Sequence, residues 1–382
     1  MLIPNNKQKT KLFQYANTAR FAYNWALGRE QENYSNGGKF ISDGDLRKEL
    51  TQLKKTDEYS WLNNISNNVT KQAIKDACES YRNFFKRKAK YPRFKSKKHS
   101  MPKFYQDNVK IKFTDTHVKV EGFATSKKKN KQKLNWIRLA EHGRIPIENV
   151  KYMNPRIKYD GLNWWITVGV EYEDSDTLPS NDGIGIDLGI KDLAICSDNN
   201  TYKNINKTQK IKKLEKKKRR LQRSISRKYL NNKKGGSYYK TSNIIKSRKK
   251  LLKLNYRLTN IRNNYLHQVT SEIVKRKPSF ITIEDLNVSG MMKDRRQSKA
   301  IQEQKLYEFR RLIKYKCKWN NIELRIVDRW YPSSKLCHEC GCIKKDLKRS
   351  DRVYKCNECG YIEDRDYNAS LNLRDAITYE IA

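Results

Sequence analysis

Four cysteines in two close pairs constrain this chain more than any other feature. Cys337-His-Glu-Cys340-Gly and Cys356-Asn-Glu-Cys359-Gly leave fifteen residues between Cys340 and Cys356, the pattern C-x2-C-x15-C-x2-C. Each pair, followed by Gly341 or Gly360, predicts a tight turn, and two turns facing each other present four thiolates tetrahedrally to zinc. Sulfur then fills every position, leaving none for water. One structural Zn2+ is therefore expected in a ribbon over residues 333–362, with His338 and Cys342 outside the ligand set. Cys78, Cys196 and Cys317 stand singly in apolar or helical contexts and are expected to be buried thiols in a reducing compartment.

Around the ribbon, positive charge dominates. The chain has 83 Lys and Arg against 41 Asp and Glu over 382 residues, a formal net charge of +42. A lone compact protein with that excess repels itself, so a polyanion is expected as partner. Membrane binding would gather the cations on one amphipathic helix or beside a spanning segment. Here they are spread along the chain, and no apolar run approaches the roughly 20 residues of a membrane helix. Nucleic acid is the expected partner, no membrane is expected, and the chain reads as soluble and intracellular. The 23 tyrosines and seven tryptophans add faces on which unpaired bases can stack, although singly most are expected in the core.

Hydrophobic periodicity changes along the chain. Three-to-four spacing predicts helices from Lys7 to about Tyr34, from Ser42 to Leu53 and from about Asn68 to Lys88, ahead of the dense basic run around Pro92. These make an expected helical lobe over residues 1–104. From about Tyr105 the period falls to two, and Asp160-Gly161 predicts a type I′ hairpin turn, so residues 105–180 read as a small β-barrel with a polar linker, Glu173 to Asp182. Two apolar strands around Gly189, a basic helical hairpin over 203–275 interrupted at Gly235-Gly236, and strands ending at Glu284 and Asp328 fill residues 181–332. The last segment, 363–382, opens with acidic residues just ahead of a helix.

Three carboxylates stand out against the basic background: Asp187 and Glu284 at strand ends and Asp366 at a helix start. Singly they read equally well as a turn residue, a surface charge and a helix cap. Together they suit a phosphodiester-hydrolysing site, in which two Mg2+ ions (or Mn2+) about 3.5–4 Å apart are held by a few hard oxygen ligands from separate elements.

The segments GIDLGIKDLAICSD, ITIEDLNVSGM and DRDYNASLNL resemble the three split parts of a RuvC-type nuclease with an RNase H-like fold. With the cysteine segment and the preceding YPSSKLC, and with IPNNKQKTKLFQYANTARFAYNWAL and NVTKQAIKDA to NFFKRKAKYPRFKSKK upstream, nearly the whole chain resembles the TnpB family. These are transposon-encoded RNA-guided nucleases related to compact type V CRISPR effectors. The resemblance implies a multidomain α+β chain: a helical lobe with a small β-barrel, then a RuvC-like α/β nuclease domain (181–332 and 363–382) carrying the helical hairpin and the inserted zinc ribbon. It also implies that Asp187, Glu284 and Asp366 are the catalytic set and that Cys337, Cys340, Cys356 and Cys359 hold zinc. In the DRD motif the family's ligand stands two residues before the asparagine, here Asn368, which selects Asp366 over Asp364.

The same resemblance implies a guide RNA from the transposon end, and double- and single-stranded target DNA read beside a short flanking motif. Lys71 and Gln72 are candidate readers of that motif, Gln by pairing with adenine and Lys with guanine or phosphate; a solvated helix face is the equal alternative. Arg93, Lys95, Lys97, Lys98, Arg219, Arg220 and Arg223 are further candidate nucleic-acid contacts. TnpB chains usually begin with a β-strand ahead of the IPNNKQ-like segment, and here Met1 falls almost on it, which implies a shortened first barrel strand or a start upstream. Three other readings use the same residues: a guided repressor that does not cut, expected to lack one of the three carboxylates; a strand-transferring transposase; and an ATPase sharing the RNase H-like core, which would need further glycine-rich phosphate loops.

Overall fold

A computed structural model describes residues 1–123, 134–171, 181–348 and 350–382. Two compact units divide the chain, Met1–Tyr172 and Glu173–Ala382. Most of the expected linker lies outside the described residues.

In the first unit, β1 (Leu2–Ile3) leads into α1 (Asn6–Ser35), followed by α2 (Asp43–Leu53) and α3 (Asn67–Phe85). A capping box starts α1: Asn5 accepts from the Gln8 backbone and the Gln8 side chain accepts in return. The Gln8 amide also donates to the Leu134 and Trp136 carbonyls, at 2.9 and 2.8 Å, tying helix to sheet. That sheet contains β2 (Lys103–Tyr105), β3 (Lys112–Phe113), β4 (His117–Lys119), β5 (Trp136–Leu139), β6 (Tyr152–Tyr159) and β7 (Trp164–Val170), in the order β2-β6-β7-β1-β5-β4-β3. Its pairings are antiparallel, and β1 is a two-residue strand in the middle of the sheet, with Leu2 opposite both Leu139 and Trp164. Helices and sheet share one apolar core running from Leu2 to Trp164.

The hairpin between β6 and β7 forms, but its turn differs from the expected type I′. Tyr159 pairs with Trp164, leaving a four-residue loop in which Gly161 has φ +95°. Asp160 is not left-handed as type I′ requires; its carboxylate instead accepts from the backbones of Leu162 and Asn163 at 2.8 and 2.7 Å.

The second unit is built on a six-stranded sheet of β8 (Ile184–Leu188), β9 (Asp192–Cys196), β10 (Thr201–Lys203), β13 (Phe280–Glu284), β14 (Glu323–Val327) and the edge strand β17 (Glu380–Ile381). Its order is β10-β9-β8-β13-β14-β17. Strands β8 to β10 are antiparallel neighbours, whereas β8, β13 and β14 run parallel. Between β10 and β13 rise α4 (Gln209–Asn231) and α5 (Ser242–Lys275), joined by a small ribbon of β11 (Lys233–Lys234) and β12 (Ser237–Tyr238). After β13 come α6 (Val288–Met291), α7 (Ser298–Gln304) and α8 (Leu306–Trp319). Side chains of α5 and α8, among them Val269, Ile273, Phe309 and Ile313, form the core with Ile184, Ile283 and Leu324. The cysteine segment adds a ribbon of β15 (Val353–Lys355) and β16 (Ile362–Asp364), which runs directly into α9 (Arg365–Arg374). No described helix is long and apolar enough to cross a membrane.

Candidate functional site

Strand register brings the first two carboxylates together. Ile281, Thr282 and Ile283 of β13 pair with Ile184, Gly185 and Ile186 of β8, so the next residues, Glu284 and Asp187, leave the same end of neighbouring parallel strands. Such strands lie about 4.8 Å apart. The third carboxylate arrives on α9. Asp364 is spent as the helix cap, accepting from the backbones of Asp366 and Tyr367 at 2.9 and 3.1 Å, while Asp366 lines one cleft with Asp187 and Glu284. Helix capping thus separates the two acids of the DRD motif.

Gly185 allows α9 to come this close. A Cβ there would collide with the Ser370 carbonyl and the Arg374 backbone nitrogen, so helix and strand touch backbone to backbone. Sequence reasoning missed this residue, although a glycine between two isoleucines in a strand is the ordinary sign of a close approach. It missed Ser333 as well. Ser333 is 2% exposed and its hydroxyl donates to Glu284, a tertiary contact with no local sequence signal. Its carbonyl accepts from Asn372 of α9 at 2.8 Å.

The cleft sets the three carboxyl groups among cationic side chains. Burial, then the charges of Glu284 and Asp366, push the Asp187 carboxyl up to about 8. Burial also raises Glu284, opposed by the Ser333 hydroxyl. Asp366 is held by Arg365 at 2.6 Å and approached by Arg352 at 3.6 Å. Lys191, Lys207, Arg296 and Lys335 are among the cations lining the rest. Among the described residues, the three carboxylates do not form a group in which one oxygen from each lies within 4.8 Å of the others.

The four cysteines do close up. Their sulfurs all lie within 4.8 Å of one another, with Cys337 to Cys359 and Cys340 to Cys356 both at 3.6 Å. A tetrahedron with Zn–S bonds of about 2.3 Å has edges of about 3.8 Å, so this donor set fits zinc without rearrangement. His338 faces Asp375 at 3.7 Å instead, and Cys342 is exposed. Cys78, Cys196 and Cys317 are buried free thiols.

The basic candidates do not gather at one place. Arg93, Lys97 and Lys98 are exposed on the segment after α3, Lys71 is exposed on α3, and Arg219, Arg220 and Arg223 are exposed on α4. Lys95 departs from the expected solvent-facing cation. Its backbone is pinned by Asn24 through two 2.8 Å bonds and its ammonium sits over the Tyr23 ring. Burial, with Lys103 nearby, lowers it to about 7. Gln72 is not free either: its amide donates to Asp76 at 2.9 Å, and Asp76 holds Arg156 through bonds of 2.6 and 2.9 Å.

This architecture has known counterparts. A solved Cas12f1 chain, from a complex with sgRNA and target DNA, matches 95% of this chain and 82% of its own with a TM-score of 0.60 at 15% identity. The fold is therefore the multidomain α+β fold of Cas12f. Family profiles described as "Helix-turn-helix domain", "Probable transposase" and "Cas12f1-like, TNB domain" match residues 1–39, 167–295 and 307–373. The Escherichia coli K12 protein named "Putative RNA-guided DNA endonuclease InsQ" is 30% identical over 97% of this chain and 90% of its own length. A Streptomyces pristinaespiralis protein named "Putative RNA-guided DNA endonuclease" is 29% identical over 97% and 86%. The chain belongs to the TnpB family.

Proposed function

We propose that this chain is a transposon-encoded RNA-guided DNA endonuclease that cleaves target DNA beside a short flanking motif, hydrolysing the phosphodiester at a RuvC-like site of Asp187, Glu284 and Asp366. The observation that carries this reading is the shared cleft, in which two adjacent strand ends and a helix start present three carboxylates in a chain of net charge +42. The sheet order supports an RNase H-like core, with three antiparallel strands followed by two parallel ones. The names of the InsQ and Streptomyces relatives support the guided-endonuclease reading.

Asp187, Glu284 and Asp366 would hold two Mg2+ ions, with Mn2+ as a substitute. When bound, these supply an activated water and neutralise charge developing on the phosphate. The protein's own contributions are positional. Ser333 holds one oxygen of Glu284, a residue that lines the cleft, and Asp364 caps the start of α9, where Asp366 stands in the first turn. Lys191, Lys207 and Lys335 draw the strand inward. Cys337, Cys340, Cys356 and Cys359 would hold one structural Zn2+. The partners are a guide RNA and its double- and single-stranded DNA target, with Lys71, Arg93, Lys97 and Lys98 among the solvent-facing contacts.

The test starts from protein purified with its cellular RNA. Sequencing that RNA should reveal one constant species ending in a variable guide, and a plasmid matching the guide should be cut in Mg2+. Asp187→Ala should abolish cutting while RNA and target binding persist. Full cutting by that variant removes the carboxylate assignment, and cutting independent of RNA removes the guided one.

A further inference from the structure

We propose that the free end of the α4–α5 hairpin is a stacking arm for unpaired nucleotides, separate from the carboxylate cleft. The inference rests on the nucleic-acid-binding part of the proposed function and is independent of the catalytic assignment. From Lys216 to Ser271 the sequence contains 18 Lys and Arg and no Asp or Glu. The last acid before this stretch, Glu215, is already engaged by Arg262 at 3.1 Å and Lys218 at 3.7 Å. Arg219, Arg223 and Arg227 line one shallow groove along α4, and all three are exposed. Four-residue steps set their attachment points about 6 Å apart along the helix axis, a ladder that can follow consecutive phosphates of one strand.

The ladder runs towards an unusual tip. Two helices can be joined by a short polar loop; here a ribbon pairs Lys233 with Tyr238 and Lys234 with Ser237, and Gly235 at φ +56° permits the reversal. Tyr238 and Tyr239 are 53% and 56% exposed, so about half of each residue's surface is open to a ligand. Each carries a lysine ammonium near its face, Lys233 at 5.9 Å from the Tyr238 centroid and Lys234 at 6.0 Å from that of Tyr239. Tyr229 braces the set from α4, edge-on to Tyr238 at 6.3 Å, and its hydroxyl accepts from Arg248 at 3.2 Å. Exposed, braced rings beside a column of cations match the chemistry of an unpaired nucleic-acid strand, which offers a π-face and a phosphate at every residue. A protein partner would have to be strongly acidic to approach the same surface.

Full-length protein stripped of cellular RNA would be titrated, without added Mg2+, against fluorescein-labelled 20-mers of U and of dT over a series of salt concentrations. In Tyr238→Ala/Tyr239→Ala the affinity should fall about 5- to 100-fold with the salt slope unchanged, and Tyr238→Phe/Tyr239→Phe should retain wild-type affinity. In Arg219→Gln/Arg223→Gln/Arg227→Gln the slope of log affinity against log salt should flatten by up to about 2. A larger tyrosine effect on U than on dT makes the guide RNA the occupant, and the reverse makes it the displaced DNA strand. Wild-type binding by the alanine variant overturns the proposal and leaves the tip as a protein contact. An equal loss in the phenylalanine variant also overturns it, since stacking needs no hydroxyl. Failure of the wild-type protein to bind either oligonucleotide would instead defeat the nucleic-acid reading itself.

Discussion

Replacing Asp187 by asparagine should make the metal-free protein more stable while abolishing its activity, and the gain should grow with pH. The cleft raises the Asp187 carboxyl from 3.8 to about 8, chiefly by burial and then through Glu284 and Asp366. A carboxyl raised on folding contributes stability that is fully present below pH 3.8 and is lost progressively until the pH passes about 8, because the unfolded chain ionises first. About four pH units at about 1.4 kcal/mol each set a ceiling near 6 kcal/mol. The side chain lines an open cleft and is only partly shielded, so water reduces the effect to about 2–3 kcal/mol. The amide that replaces the carboxyl cannot ionise. Urea unfolding of wild type and Asp187→Asn at pH 5 and pH 8.5, without divalent ions, should show an advantage for the variant that widens as the pH rises. Adding Mg2+ at pH 8.5 should stabilise the wild type alone. A stability difference that does not change with pH, or a variant less stable than wild type at pH 8.5, would refute the view that burial and the neighbouring carboxylates outweigh the nearby Arg365 charge at Asp187.

Gly185→Ala should cost about 3 kcal/mol or more, because the new methyl meets the α9 backbone, which cannot swing aside as a side chain would; thermal unfolding reads the loss. Ser333→Ala should raise the Mn2+ concentration needed for half of the thermal shift by about 10-fold, and Ser333→Thr should restore it, if the hydroxyl orients Glu284. Cys356→Ser should reduce zinc from one per chain to none by elemental analysis, and hydrogen exchange should rise across β15 and β16. Asp76→Asn should destabilise the Met1–Tyr172 unit by about 2 kcal/mol, because Arg156 keeps its charge without its carboxylate; a matching loss in Arg156→Met would confirm the pair.

Features written in short stretches of sequence are legible there, and features made by distant contacts are not. That Asp187 and Glu284 share a cleft is foreshadowed by their positions at or next to the ends of apolar strands in a basic chain, and the cysteine spacing alone specifies a cluster whose sulfurs lie within 4.8 Å. The three N-terminal helices fall within a few residues of their expected ranges because their apolar spacing is regular. Asp364 and Asp366 are ambiguous in sequence, since either can start a helix; only the bonds from the backbones of Asp366 and Tyr367 identify the cap. Lys95 lies in a basic run and so reads as a solvated cation, yet its position depends on Asn24, 71 residues away. Ser333 reaches Glu284 across 49 residues, a partnership no local pattern encodes. The hairpin at Asp160-Gly161 is legible but its turn type is not. By accepting two backbone N–H bonds, the Asp160 side chain stabilises a longer loop in place of the tight turn with two left-handed residues.

Anomalous diffraction from crystals soaked in Mn2+ tests the catalytic assignment most directly. Two peaks about 3.5–4 Å apart are expected in the cleft, each within about 2.2 Å of an oxygen of Asp187, Glu284 or Asp366. A signal elsewhere in the protein, with none among those three carboxylates, would contradict it.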